Sequence, residues 1–186
     1  MEDKFIEQFF KPGEQLEEAN TLDAYLDKTI PLVRPWSEDL REEKFFLNKP
    51  WIEIRDDENF HSSILHFFNE GGEYLKSIDG NVQEGSWRYL PAANKLLIAD
   101  GHSEGQLYSL SFLDANFFIL NKHGDQKRFG RRKYFVMMYE PIGSRLQWQQ
   151  VAGFLREQYE DTNNFQLILG IVIAVVIAII LLLSAF

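Results

Sequence analysis

Between residues 50 and 140, turn signals recur at short intervals, and this spacing restricts the possible folds more than any other feature of the chain. They are Asn69-Glu70-Gly71-Gly72, Asp79-Gly80-Asn81, Pro91 to Asn94, Asp100-Gly101, Asp114-Ala115-Asn116 and Lys122-His123-Gly124. The runs around them read as strands: Trp51–Arg55, Ser62–Phe68, Glu73–Ile78, Val82–Tyr89, Lys95–Ala99, Leu107–Leu113, Phe117–Leu120 and Arg131–Tyr139. Asp79-Gly80 is a strong hairpin signal, because glycine accepts the positive φ that a two-residue turn requires. Connections this short make neighbouring strands antiparallel. About eight such strands in sequence order predict a mainly β, up-and-down meander able to close into a small barrel, and closure removes exposed edges.

Several motifs in this region resemble those of small bacterial lipocalin-like domains. They are Phe67-Phe68-Asn69-Glu70-Gly71-Gly72-Glu73-Tyr74-Leu75, Gly85-Ser86-Trp87-Arg88-Tyr89 and Asn94-Lys95-Leu96-Leu97-Ile98. Trp51 stands for the opening tryptophan of such domains and Trp87 for the central one. The likeness covers about residues 48–124. It implies a barrel whose interior can hold a small apolar ligand, lined by Trp51, Phe67, Trp87, Tyr89, Phe112 and Phe118. Many such domains are exported lipoproteins with an N-terminal Cys. This chain has no Cys and an apolar C-terminal run that reads as an anchor, two departures that count against an exported-carrier role.

Residues 165–186, FQLILGIVIAVVIAIILLLSAF, carry no charge, and 16 of the 22 are Phe, Leu, Ile or Val. At about 1.5 Å per residue a helix of this length spans roughly 33 Å, enough for a hydrocarbon core of about 30 Å. The segment reads as a transmembrane helix. Gly170, Ala174 and Ala178 fall four apart on one face of it, a small-residue seam that suits a homodimer. The first ten residues, MEDKFIEQFF, lack the basic start and apolar run of a secretory signal. The expectation is a tail-anchored, single-pass protein with its N-terminal domain in the cytosol; the resemblance points to a bacterial inner membrane.

The flanks of the β region read as helical. Phe5, Ile6, Phe9 and Phe10 share one face of a short helix that Pro12-Gly13 stops. Leu16, Ala19, Leu22, Leu26 and Ile30 continue at helical spacing up to Pro31, and Ser37 caps a further short helix through Lys44. The expected organisation is a helical region 1–49, an antiparallel β domain 50–140, a helical connector 141–164 beginning at a Ser144 cap, and the transmembrane helix 165–186.

Net charge is −9 and unevenly placed. Residues 1–60 hold 16 acids against 8 bases, a net of −8; residues 122–133 hold six bases against one acid, a net of +5. Lys127, Arg128, Arg131, Arg132 and Lys133 form the most distinctive soluble patch. The plainest reading of it is a solvated hairpin. Anionic headgroups, or an acidic partner such as the N-terminal region of another copy, are the functional readings. A small patch on an acidic chain does not suit nucleic acid.

No nucleophile elbow, Walker loop or dinucleotide fingerprint occurs. Zero cysteines exclude disulfides, thiol nucleophiles and Cys-ligated metals. His61 and His66, five apart, point to opposite faces of a strand; His102 and His123 fall in turns. Asp100 and His102 would supply two ligands of a zinc site, with no third nearby. The chain therefore reads as a non-enzymatic interaction or scaffolding module without cofactor, held at the bilayer and meeting a protein partner. The alternative is a small apolar-ligand or lipid binder. The first expects a barrel filled by its own side chains and the second expects a cavity.

Overall fold

The computed structural model describes residues 20–57, 62–101, 105–123 and 132–159, together with Ile173 and Ile177. Eight strands follow one another: β1 (Pro50–Glu53), β2 (Ile64–Phe68), β3 (Glu73–Ile78), β4 (Asn81–Leu90), β5 (Lys95–Asp100), β6 (Gln106–Leu113), β7 (Phe117–Lys122) and β8 (Tyr134–Tyr139). Each pairs antiparallel with the next, and β1 pairs with β8 through Trp51↔Tyr139, Ile52↔Met138 and Glu53↔Met137, which closes the barrel. The Asp79-Gly80 turn has positive φ at both residues, 48° and 88°, as a primed hairpin turn requires.

Antiparallel succession puts alternate turns at opposite ends. The β2–β3, β4–β5 and β6–β7 turns share one end, hereafter the closed end. The β1–β2, β3–β4, β5–β6 and β7–β8 connections share the other, the open end. A segment ahead of β1 fills the closed end. Phe46, fully buried, stacks on Phe118 at 5.2 Å between ring centroids and meets Trp87 edge-on at 5.5 Å. The Trp51 indole N–H donates to the Phe46 carbonyl (2.9 Å) and holds the segment in place. Trp51, Phe68, Leu96, Leu113, Phe118, Leu120 and Met137 complete a solid apolar layer, each with no exposed surface.

A second core lies outside the barrel wall. α1 (Leu22–Val33) and a helix at residues 148–159, here α3, pack on the outer faces of β1, β6, β7 and β8. α2 (Glu140–Gly143) is a single turn between β8 and α3. Three expected boundaries change. Pro31 lies inside α1 rather than ending it, because Ile30 and Val33 on either side are buried and tertiary packing offsets the lost backbone bond. Ser37 caps no helix; its hydroxyl accepts from the Leu113 N–H (3.0 Å), and the residues after it form only a 3₁₀ turn, Glu43–Phe45. α3 starts after Gln147, whose N–H is bound by the Gln150 side chain (2.9 Å), not at Ser144.

A β-bulge at Ser111 decides which residues face inward. β6 pairs with β7 through Leu110↔Leu120 and then Phe112↔Ile119, so Ser111 is an extra residue. Before it, Tyr108 and Leu110 point into the barrel; after it, Leu113 does and Phe112 points out. The Arg34 guanidinium donates to the Leu110 and Ser111 carbonyls (2.9 and 3.2 Å), which the interrupted ladder would otherwise leave unpaired.

Candidate functional site

Apolar residues line the closed half of the interior, and the same alternation turns polar toward the open end. β1 runs Trp51 to Glu53, β3 runs Tyr74 to Lys76, β5 runs Leu96 through Ile98 to Asp100, and β7 runs Phe118 through Leu120 to Lys122. On β2, His66 lies inward of Phe68 with 1% of its surface exposed, across from Trp51 and Lys76. The open half of the barrel is thus a cluster of titratable groups set on an apolar floor.

His66 is the centre of that cluster. Its Nδ1 lies 2.6 Å from the Tyr74 hydroxyl and its Nε2 lies 3.2 Å from Glu53 Oε2. The other Glu53 oxygen accepts from Arg55 Nε at 2.7 Å, and Arg132 stands 3.9 Å from it. Burial opposes the Glu53 charge, but the hydrogen bonds from His66 and Arg55 outweigh it and hold the carboxyl at about 2. Burial pushes the His66 imidazole below its ordinary range, against the pull of Glu53. The two directions agree if the imidazole is neutral: Nε2–H donates to Glu53, Nδ1 accepts from Tyr74, and Arg55 supplies the counter-charge. This tautomer follows from the network of partners. Burial also raises the Tyr74 and Tyr108 phenols far above their usual value and lowers the Lys122 ammonium.

Gly85 makes room for this arrangement. It lies across from Tyr74 on β4, and a Cβ there would meet the Ala99 carbonyl oxygen at 2.1 Å and the Tyr74 ring at 3.0 Å. Only glycine lets β4 and β5 approach so closely with the tyrosine ring laid over them. Chemically, Tyr74–His66–Glu53 has the connectivity a proton relay needs, but both ring nitrogens and both carboxylate oxygens are spent on protein partners. Among the described residues no group of three or more His, Cys, Asp or Glu could hold a metal ion.

Of the residues expected to line a cavity, Trp51, Trp87 and Phe118 meet in the closed-end layer and Tyr89 packs at its edge. Phe67 and Phe112 do not join them. Phe67 points outward because His66 and Phe68 on either side point in, and Phe112 is turned out by the bulge onto Phe117 and Tyr159. A groove of about 870 Å³ does open at the closed end, lined by Leu47, Glu70, Trp87, Arg88 and Tyr89 among others.

Two members of the basic patch are occupied. Arg132 is bonded to Asp57 and stands 3.7 Å from Asp56; the Lys133 ammonium is bonded to Asp27. Their partners come from the acidic N-terminal part of the same chain. Lys127, Arg128 and Arg131 lie outside the described residues, as do Gly170, Ala174 and Ala178, His61 and His102, and the helix expected at residues 2–11. Among the described residues no helix is long and apolar enough to cross a membrane.

The sequence reading missed the His66 cluster. Its signal was the phase: Glu53, Lys76, Asp100 and Lys122 each fall two residues beyond an inward-facing hydrophobic or aromatic residue. No protein-family model matches the chain, and no curated protein or solved structure is significantly similar to it.

Proposed function

We propose that the barrel is a non-enzymatic interaction or scaffolding module, tethered to a bilayer by the apolar residues 165–186 and offering its outer surface to a protein partner. The observation that carries this reading is the occupied interior. Phe46, inserted from outside the strands, takes the place in the closed half that a small apolar ligand would need, and it and the Trp51, Phe68 and Phe118 rings are fully buried. The enzymatic reading is disfavoured by the His66 network, whose polar atoms are satisfied internally. In this reading the lipocalin-like resemblance is one of barrel shape, without the carrier function. The Gly170, Ala174 and Ala178 seam offers a route to a homodimer within the membrane.

The test is native mass spectrometry of the full-length protein extracted gently from its own membrane. A ligand-free species, alone or with a second protein, is expected. A stoichiometric small apolar mass would overturn the module in favour of a lipid or small-ligand binder.

A further inference from the structure

The route of the two outer helices sets how the barrel stands relative to whatever follows residue 159. α1 begins at the open end. There the Leu22 N–H donates to Asp56 (2.8 Å), and Asp23 accepts from the backbone N–H groups of Lys133 (2.7 Å) and Tyr134 (3.2 Å). It finishes near the closed end, where the Glu38 N–H reaches the Leu113 carbonyl (2.8 Å). α3 starts beside the first turns of α1, with Trp148 and Ala152 against Tyr25. It reaches residue 159 at the closed end. The Tyr159 ring lies 5.2 Å from Phe112 and 5.7 Å from Trp36, and its hydroxyl donates to Asp114 in the β6–β7 turn.

This docking is firm. Val151, Ala152 and Leu155 are buried, and Phe154 packs on Phe117. The carboxylate of Asp114, itself only 7% exposed, accepts from the Asn116 and Phe117 N–H groups, the Gln158 amide and the Tyr159 hydroxyl. The barrel therefore does not pivot about α3. Only residues 160–164 separate Tyr159 from the apolar run, a reach of at most about 20 Å when extended. A six-residue strand spans roughly 20 Å, so the open-end turns lie about that much farther from the exit point.

We propose that the barrel stands with its closed end toward the bilayer and its polar open end toward the aqueous phase. This rests on the reading of residues 165–186 as the anchor. It places Arg132 and Lys133, just before β8, at the end remote from the headgroups. A partner that meets the open end approaches through water.

The absence of cysteine makes the test clean. Single variants Ala93→Cys, in the exposed closed-end turn, and Val82→Cys, 62% exposed beside the open-end hairpin, each carry a donor fluorophore on the full chain. The protein is reconstituted in phosphatidylcholine vesicles bearing a headgroup acceptor. Energy transfer several-fold higher from position 93 than from position 82 is expected, with and without added phosphatidylserine. Equal or reversed transfer in protein that floats with the vesicles overturns the orientation alone. Reversal only with phosphatidylserine would mean that the basic run captures lipid, and it overturns the orientation equally. Protein that fails to float overturns the anchor, and the orientation with it.

Discussion

At the scale of single residues, the Glu53–His66–Tyr74 network governs how the molecule answers to pH. A neutral, buried His66 with a lowered pKa contributes stability that is fully present above its unfolded value near 6.5 and is lost as pH falls below that value. Glu53, held at about 2 from 4.5, loses its contribution between those two values. Thermal unfolding should therefore show a falling midpoint from pH 7.5 to 5.5, before the carboxylates titrate. His66→Gln should flatten that slope while lowering the midpoint at pH 7.5. Glu53→Gln takes away the carboxylate that Arg55 Nε and His66 Nε2 bond, in a mostly buried site. It should cost about 2–4 kcal/mol by denaturant unfolding, since removing one member of a buried pair strands the other. A loss below 0.5 kcal/mol by the measure of exposed pairs would mean that water reaches this end freely.

At the scale of elements, the bulge in β6 connects the barrel to its outer helices. Ser111 turns Phe112 outward onto α3 and exposes the two carbonyls that Arg34 satisfies from the end of α1. Arg34→Met keeps much of the side chain's bulk and removes the donors, so it should cost about 2 kcal/mol, the value of hydrogen bonds to a charged group left unmade. Hydrogen exchange should quicken locally in β6 and along α1. The helices themselves resisted reading from periodicity at their ends. Pro31 signals a stop by its own chemistry, but Ile30 and Val33 bury enough surface to carry α1 past it. Ser144 has a cap's side chain, yet helical geometry resumes only after Gln147, where Gln150 reaches back to bind the first amide.

At the scale of the whole molecule, the barrel is closed by hydrogen bonds between its first and last strands and filled by a residue from outside the sheet. Removing that residue is the most direct probe of the filled interior. Phe46→Ala should cost about 3–5 kcal/mol, and the apolar void it leaves should bind a small probe such as benzene, seen as a ligand-dependent rise in the unfolding midpoint. If Phe46→Ala costs under 1 kcal/mol, the closed end is not packed as described. The same scale holds the acidic and basic halves of the sequence together. Asp27, Asp56 and Asp57 lie far along the chain from Arg132 and Lys133 and bond to them, so the charge asymmetry is partly an internal pairing rather than two surfaces for outside partners.

Strand positions and the antiparallel sense of neighbours were legible in the amino-acid sequence; the strand order around the barrel came from the structure. Turn residues and alternation act over two to ten residues, and Asp79-Gly80 or Asn69 to Gly72 can form only a few backbone paths. The β3 bounds, Glu73–Ile78, are those expected from the turns alone. Closure was not legible, because the pairing of β1 with β8 joins segments about 85 residues apart and depends on the summed twist of every strand between them. Nor was the inward face of β6 after Ser111, because one extra residue reverses a period of two and nothing local distinguishes Ser111 from its neighbours. The polar cluster was hidden for the same reason. Glu53, His66 and Tyr74 come from three strands, and only a closed wall in this register turns three scattered residues into one hydrogen-bonded group.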